Sequence, residues 1–257
     1  MGIIIALLVL ISWASHLGYI LLYQPVDPTD VWFWLHLLIQ TWLFTGLFIT
    51  GHDAMHGTIS RNKRINNFFG YLSSTLYAGL WYPQLKKKHH LHHAHVATED
   101  DPDYHTGHQN FFIWWFSFMK QYLTIWQILI MATLYNIGLL YFSDQQLLVL
   151  WITPSILSTF QLFYFGTYRP HRRPHTEEMK PHKARSQKRN HLWALLSCFF
   201  FGYHYEHHAS PHTPWWKLYR IKRSIGREVE RSRGREVERS RGKRSAVPRS
   251  DDRSLGR

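Results

Sequence analysis

The amino-acid sequence predicts an all-α, polytopic integral membrane protein of about four transmembrane helices with a histidine-rich cap on the cytoplasmic side. Three observations lead there. Four uncharged stretches are each long enough, at about 20 residues, to cross a hydrocarbon core as a helix. The Lys and Arg residues between them collect on one side of the membrane when the spans are threaded in order. The 19 histidines, finally, are grouped rather than scattered.

Gly2 to Tyr23 holds no Asp, Glu, Lys or Arg and reads as the first span. A cleaved signal peptide would carry a positive leading region and a small-x-small cleavage site, and this stretch has neither. Val31 to Gly51 is the second span, Tyr122 to Phe142 the third and Leu147 to Tyr168 the fourth, with Pro154 tolerated because neighbouring helices can satisfy the freed carbonyl. The connections Gln24 to Asp30 and Ser143 to Gln146 carry no Lys or Arg. Arg61, Lys63, Arg64, Lys86, Lys87, Lys88, Lys120 and the run from Arg169 to Arg189 all fall on the other side. With the N-terminus in the cytoplasm, that side is cytoplasmic. Phe68 to Tyr82, Phe111 to Phe118 and Leu192 to Tyr203 are apolar but short, and read as re-entrant or interfacial segments.

Composition narrows the chemistry. Cys198 is the only cysteine, so an intramolecular disulfide and a thiolate-held zinc are excluded, and any metal must be bound mainly through nitrogen or oxygen. The chain also divides in two. Residues 1–222 carry 18 basic and 11 acidic side chains in a largely apolar body, whereas residues 223–257 carry 12 basic and 6 acidic side chains with almost nothing apolar. This tail repeats GREVERSR at Gly226 to Arg233 and Gly234 to Arg241, has no face to bury, and reads as a disordered low-complexity extension. No nucleic-acid partner is expected.

Three histidine groups stand out: His52 and His56 in HDAMH, His89, His92 and His93 in HHLHH, and His204, His207 and His208 in HYEHH. On a helix, positions i, i+3 and i+4 share a face, so each group can aim its rings at one place. All three lie on the predicted cytoplasmic side. A single such pair is more often solvated or packed histidine than a ligand set. Three on one face point to metal binding, because imidazole is the commonest neutral metal ligand. Eight imidazoles exceed what one tetrahedral ion takes and suit two. Nitrogen-rich ligation is compatible with iron, copper, zinc or nickel.

The strings LFITGHDAMHG (47–57), RINNFFG (64–70), KKHHLHHAH with DPDY (87–104), QNFF (109–112), PSILSTFQLFYFGTYRPH (154–171) and FGYHYEHHASPHTPWWKL (201–218) resemble the membrane di-iron oxygenases of the fatty-acid desaturase and hydroxylase type. Within these the similarity is greatest to bacterial-type β-carotene ketolases. The resemblance spans nearly all of residues 1–222; from Arg220 onward the chain departs from the family, and Tyr219 stands where a Pro is expected. It implies two non-haem irons, O2 as co-substrate, and oxidation of the C4 methylene of a β-ionone ring to a ketone. It also implies a carotenoid substrate (β-carotene) dissolved in membrane lipid, and an external electron donor such as ferredoxin, since the sequence shows no flavin, haem or nicotinamide motif. A ninth ligand is implied at His171, with His175 as its alternative and a surface role for both in the Arg169 to Arg189 loop as the other reading. Asp53, beside the first box histidine, is a candidate catalytic carboxylate that orients a ring or moves protons; the bland reading is a helix-surface Asp. The run Glu99, Asp100, Asp101 and Asp103 either reaches the metals or their histidines or caps a solvated loop. His90, His95, His105, His108, His182, His191 and His212 are expected around the centre or on the surface, and His16 and His36 as packed or hydrogen-bonded within the spans. A carotenoid ring hydroxylase or fatty acyl desaturase would share these histidines; a membrane metal transporter would instead line a mid-bilayer path with them.

Because the duplicated tail has no apolar face, deleting residues 224–257 is expected to leave membrane insertion and product formation largely unchanged, checked by protease accessibility and pigment analysis.

Overall fold

A computed structural model describes residues 1–227, and every element among them is helical. Nine helices position the site: α1 (Gly2–Tyr23), α2 (Val31–Met55), α3 (Lys63–Ala78), α4 (Tyr82–Ala94), α5 (Phe111–Tyr122), α6 (Ile125–Gly138), α7 (Asp144–His171), α8 (His191–Cys198) and α9 (His204–Ala209). Residues Met1–Tyr219 form one compact unit. The predicted disordered tail beyond Arg227 lies outside the described residues.

Three helices are long and apolar enough to cross a membrane: α1, α2 and α7. The predicted third span is shorter than its hydropathy suggested. Thr124 breaks the apolar run by capping a new helix, its hydroxyl accepting from the Gln127 N–H at 3.1 Å, so α6 has 14 residues. At 1.5 Å per residue that is about 21 Å, less than the ~30 Å of a hydrocarbon core. The α6 helix nevertheless leads from the histidine end of the molecule toward the opposite end. Tyr122 at the end of α5 bonds Asp103 among the histidines, whereas Tyr135 on α6 donates to the Asp144 carboxylate at 2.6 Å. Gln146, just beyond, donates to the Leu21 carbonyl at the far end of α1.

The α2 helix is the axis of the fold. Asp30 caps it by accepting from the Trp32 N–H. It runs on past the predicted end at Gly51, so that His52 and Asp53 are held on rigid helix. Helix α3 packs on it and buries Asn66, Phe69, Gly70, Ser73, Ser74 and Tyr77, the i, i+3, i+4 rhythm of one helical face. Small Ser73 and Ser74 against Gly51 let the two backbones approach. Gly79, at φ 66°, ends α3 in the left-handed conformation that glycine adopts without a Cβ clash.

Helix α7 contains two wider, π-helical stretches, Leu147–Ile152 and Tyr164–Tyr168. Pro154 cannot donate to the preceding turn. The Thr153 hydroxyl donates to the Leu148 carbonyl at 2.9 Å and the Ser155 hydroxyl to Ile152 at 2.8 Å, supplying bonds inside the helix. After α8 the chain reverses through Phe199 and Phe200, at φ 44° and 60°. Such values cost non-glycine residues of order 1–3 kcal/mol each and persist only where surroundings enforce them. Here the Phe199 ring stacks on Trp42 at 4.1 Å and meets Trp215 edge-on at 5.2 Å.

Away from the site, His16 Nδ1 lies 2.6 Å from the Gln40 side-chain Oε1 and His16 Nε2 lies 3.0 Å from His36 Nδ1, the hydrogen-bonded pairing expected of histidines inside spans.

A Cβ added at Gly46 would stand 2.5 Å from Cζ of that same Phe199 ring, which Trp42 keeps from retreating. Gly46→Ala is therefore expected to cost about 1–3 kcal/mol, read as a lower thermal midpoint of the detergent-solubilised protein.

Candidate metal centre

Four helix ends converge on one point. The C-terminal end of α2 brings His52 and His56, α4 brings His89, His92 and His93, α7 ends on His171, and α9 brings His204, His207 and His208. Their nitrogens form two nests. In one, atoms of His52, His56, His89 and His207 lie within 4.8 Å of one another; in the other, atoms of His92, His171, His204 and His208 do. His93 stands between, its Nε2 2.9 Å from His207 Nε2 and its ring 4.3 Å from that of His208. All nine histidines singled out in the sequence thus meet in one centre. His175 does not: it is exposed and donates to the His171 carbonyl.

Nitrogens oppose nitrogens across these nests, at 2.7 Å between His56 Nε2 and His89 Nε2 and 3.0 Å between His204 Nε2 and His208 Nε2. Both ring nitrogens of His52, Nε2 of His171 and Nδ1 of His204 are buried with no hydrogen-bond partner among the described residues. Leaving such atoms unsatisfied costs about 1–3 kcal/mol each. A cation between them removes that cost, so the donor set fits two metal ions.

Electrostatics agrees. Burial, followed by repulsion from neighbouring imidazoles, drives the pKa values of His56, His89, His93, His204, His207 and His208 down, which keeps the rings neutral with a lone pair to offer. His92 is the exception. Burial alone would lower it, but its Nδ1 donates to both Asp101 oxygens at 2.9 and 3.0 Å, and the charges of Asp101 and Asp103 hold its pKa above the ordinary value. Asp101 is in turn fixed by the Ala97 and Asp103 backbone N–H groups. The carboxylate sets the tautomer and turns Nε2 toward the nest. His171 is oriented in the same way by donating from Nδ1 to the Lys183 carbonyl at 3.0 Å.

Of the acidic run, then, Asp101 and Asp103 reach the site and the rest do not. The sequence offered DPDY as a motif but no means of ranking its two carboxylates. Asp103 is buried, accepts from the Tyr122 hydroxyl, and has its pKa pushed up to about 6 by burial and then adjusted by the His92 and Asp101 charges. Asp53 is buried rather than on a helix surface. Its carboxylate accepts from the Trp215 N–H at 3.3 Å and lies 3.8 Å from His52 Nδ1, beyond hydrogen-bond reach, and it does not line the cavity described next. It ties the first box to the PWWKL loop.

Beneath His89, His92 and His204 lies an apolar cavity walled by Phe48, Tyr77, Leu85, Phe118, Leu162 and Phe201, with Asp103 and Tyr122 on one side. The Tyr77 hydroxyl on this wall is paired with that of Ser158 at 2.9 Å, which leaves it little free polarity.

The sequence profile of the fatty acid desaturase family matches residues 29–130 and 117–240. The chain is 41% identical to a β-carotene ketolase of Paracoccus sp. (strain PC1) over 73% of its own length and 78% of that protein's. It is 38% identical to a zeaxanthin 4-ketolase of Chlamydomonas reinhardtii over 86% of the chain, and 36% identical to a β-carotene 4-ketolase of Protosiphon botryoides over 88%. The chain spans about half (53%) of the Chlamydomonas protein and 64% of the Protosiphon one. With three membrane-length helices and two histidine nests already in place, these matches mean that the chain belongs to the fatty acid desaturase family, in its ketolase branch.

Proposed function

We propose that the chain is a β-carotene 4-ketolase, an O2-dependent oxidoreductase with two non-haem irons that converts the C4 methylene of a β-ionone ring to a ketone. One observation carries this reading: the apolar cavity opens directly onto site histidines, so a hydrocarbon ring placed there meets the metal centre with no polar layer between. His52, His56, His89 and His207 would hold one iron and His92, His171, His204 and His208 the other. Asp53 acts as a positioning residue for the first box.

An unactivated C–H bond is not broken by acid or base at neutral pH. The irons, when bound, supply the O2 and one-electron chemistry that side chains lack. The protein's share is to hold the nests, exclude water and fix the ring. Each of two successive hydroxylations takes one O2, two electrons and two protons, inserts one oxygen into C–H and releases the other as water. The geminal diol then loses water to leave the ketone.

Electrons come from an external carrier of the ferredoxin type, docking on the cytoplasmic face assigned by the basic loops. Of the three lysines before the second box, Lys87 is exposed and Lys86 lies near Lys63, but Lys88 turns inward, donating to the Gln121 carbonyl and sitting 4.9 Å over the Tyr122 ring. Steering by charge therefore rests on Lys86 and Lys87.

Expression in cells that make β-carotene is expected to yield echinenone and canthaxanthin, identified by chromatography and mass, from protein holding about two irons per chain. Hydroxylated rings would reassign it as a hydroxylase; unchanged β-carotene with iron-loaded protein and a working reductant would overturn the reading. A separate check concerns the second nest. Asp101→Asn removes the charge behind His92, and is expected to weaken metal retention about 10- to 100-fold while helical content is unchanged. Full retention of both ions would deny Asp101 its orienting role.

A further inference from the structure

Of the 14 residues of α6, Gln127 alone is buried. The helix stands off its neighbours, and between it and the first π-helical stretch of α7 runs an open cleft of about 500 Å³. Gln127, Met131, Ala132 and Tyr135 form one wall; Leu148 and Ile152 form the other. The cleft adjoins the cavity under the histidines, and Ala78 and Gln127 border both.

The sizes of the two spaces decide what each can take. The cavity holds about 100 Å³, well below the ~300–1,000 Å³ of sites that enclose a whole small ligand. It accommodates the end of a molecule. The cleft falls within that range. A conjugated polyene is stiff and cannot coil to fit inside the cavity, so a chain attached to a ring held there must leave in a straight line. Ala78 and Gln127 stand where the cavity meets the cleft.

We propose that the polyene of the substrate passes between Ala78 and Gln127 and lies along the cleft between α6 and α7, leaving the distal ring in lipid. The proposal rests on the ketolase reading given above. It means that the protein recognises one ring and the adjoining chain but not the opposite end group. A singly oxidised product then rebinds by its other end, with its ketone out in lipid.

The test compares two substrates of the iron-loaded enzyme in lipid nanodiscs: β-carotene, and a β-apocarotenoid with the same ring but a polyene too short to pass Gln127. Ala132→Trp fills the cleft. It is expected to lower the ratio of kcat/KM for the long over the short substrate by at least about tenfold, as overpacking of a binding surface does. Leu129→Trp, on the same helix but outside the cleft, is expected to change that ratio by less than about twofold. Should Ala132→Trp fail to insert, Met131→Trp obstructs the same wall. An unaltered ratio in the cleft variant, or an equal fall in Leu129→Trp, overturns the proposal and leaves the cleft to an ordinary lipid chain or a second copy. A wild-type enzyme that ketolates neither substrate fails the functional reading itself and takes this one with it.

Discussion

An imidazole is useful to a metal only while it is uncharged, and His56, His89, His93, His204, His207 and His208 stay so at close quarters. Burial supplies the condition. In a low-dielectric interior the imidazolium form loses its hydration, and each ring raises the cost of protonating the next. Had the cluster been solvated, several of these histidines would carry charge near neutral pH and repel both one another and a cation. The apolar helices around the site therefore act on its chemistry as well as on its membrane placement. His92 shows the complementary device, in which a buried carboxylate holds one nitrogen so that the other stays available.

Aiming the rings is the second requirement, and helix ends meet it. Neighbours at i and i+4 on α2 keep His52 and His56 in one nest, whereas the i, i+3, i+4 sets on α4 and α9 are divided: His89 and His207 serve one nest, His92 with His204 and His208 the other. A short helix therefore faces both nests at once, and each nest draws on three different helices. No single helix can move without disturbing a nest, which places the strain at Phe199 and Phe200 in context. That reversal delivers α9 to the site, and stacking against Trp42 on α2 holds it there.

Much of this was legible in the sequence, for physical reasons that also mark where legibility ended. Uncharged runs of membrane length and histidines at helical spacing report on local order, so α1, α2, α7 and the three boxes were found. The break at Thr124 was hidden because a single hydroxyl in an apolar run carries little hydropathic weight, yet its cap ends one helix and starts another. The sorting of histidines into two nests depends on the angles between helices, which spacing does not encode. For the same reason Asp101 could not be told from Asp103, and the inward turn of Lys88 toward Tyr122 was masked by its two lysine neighbours.

The π-helical stretches of α7 bear on how such a chain can change over time. Each residue in an α-helix advances about 100° around the axis, so deleting one residue from the wide turns would swing everything after it to another face. Pro170 and His171 would rotate away from the centre while the span kept its length and greasiness. Insertions and deletions should therefore be purged from this helix. The membrane itself would not notice the difference; only the register at the last turn would.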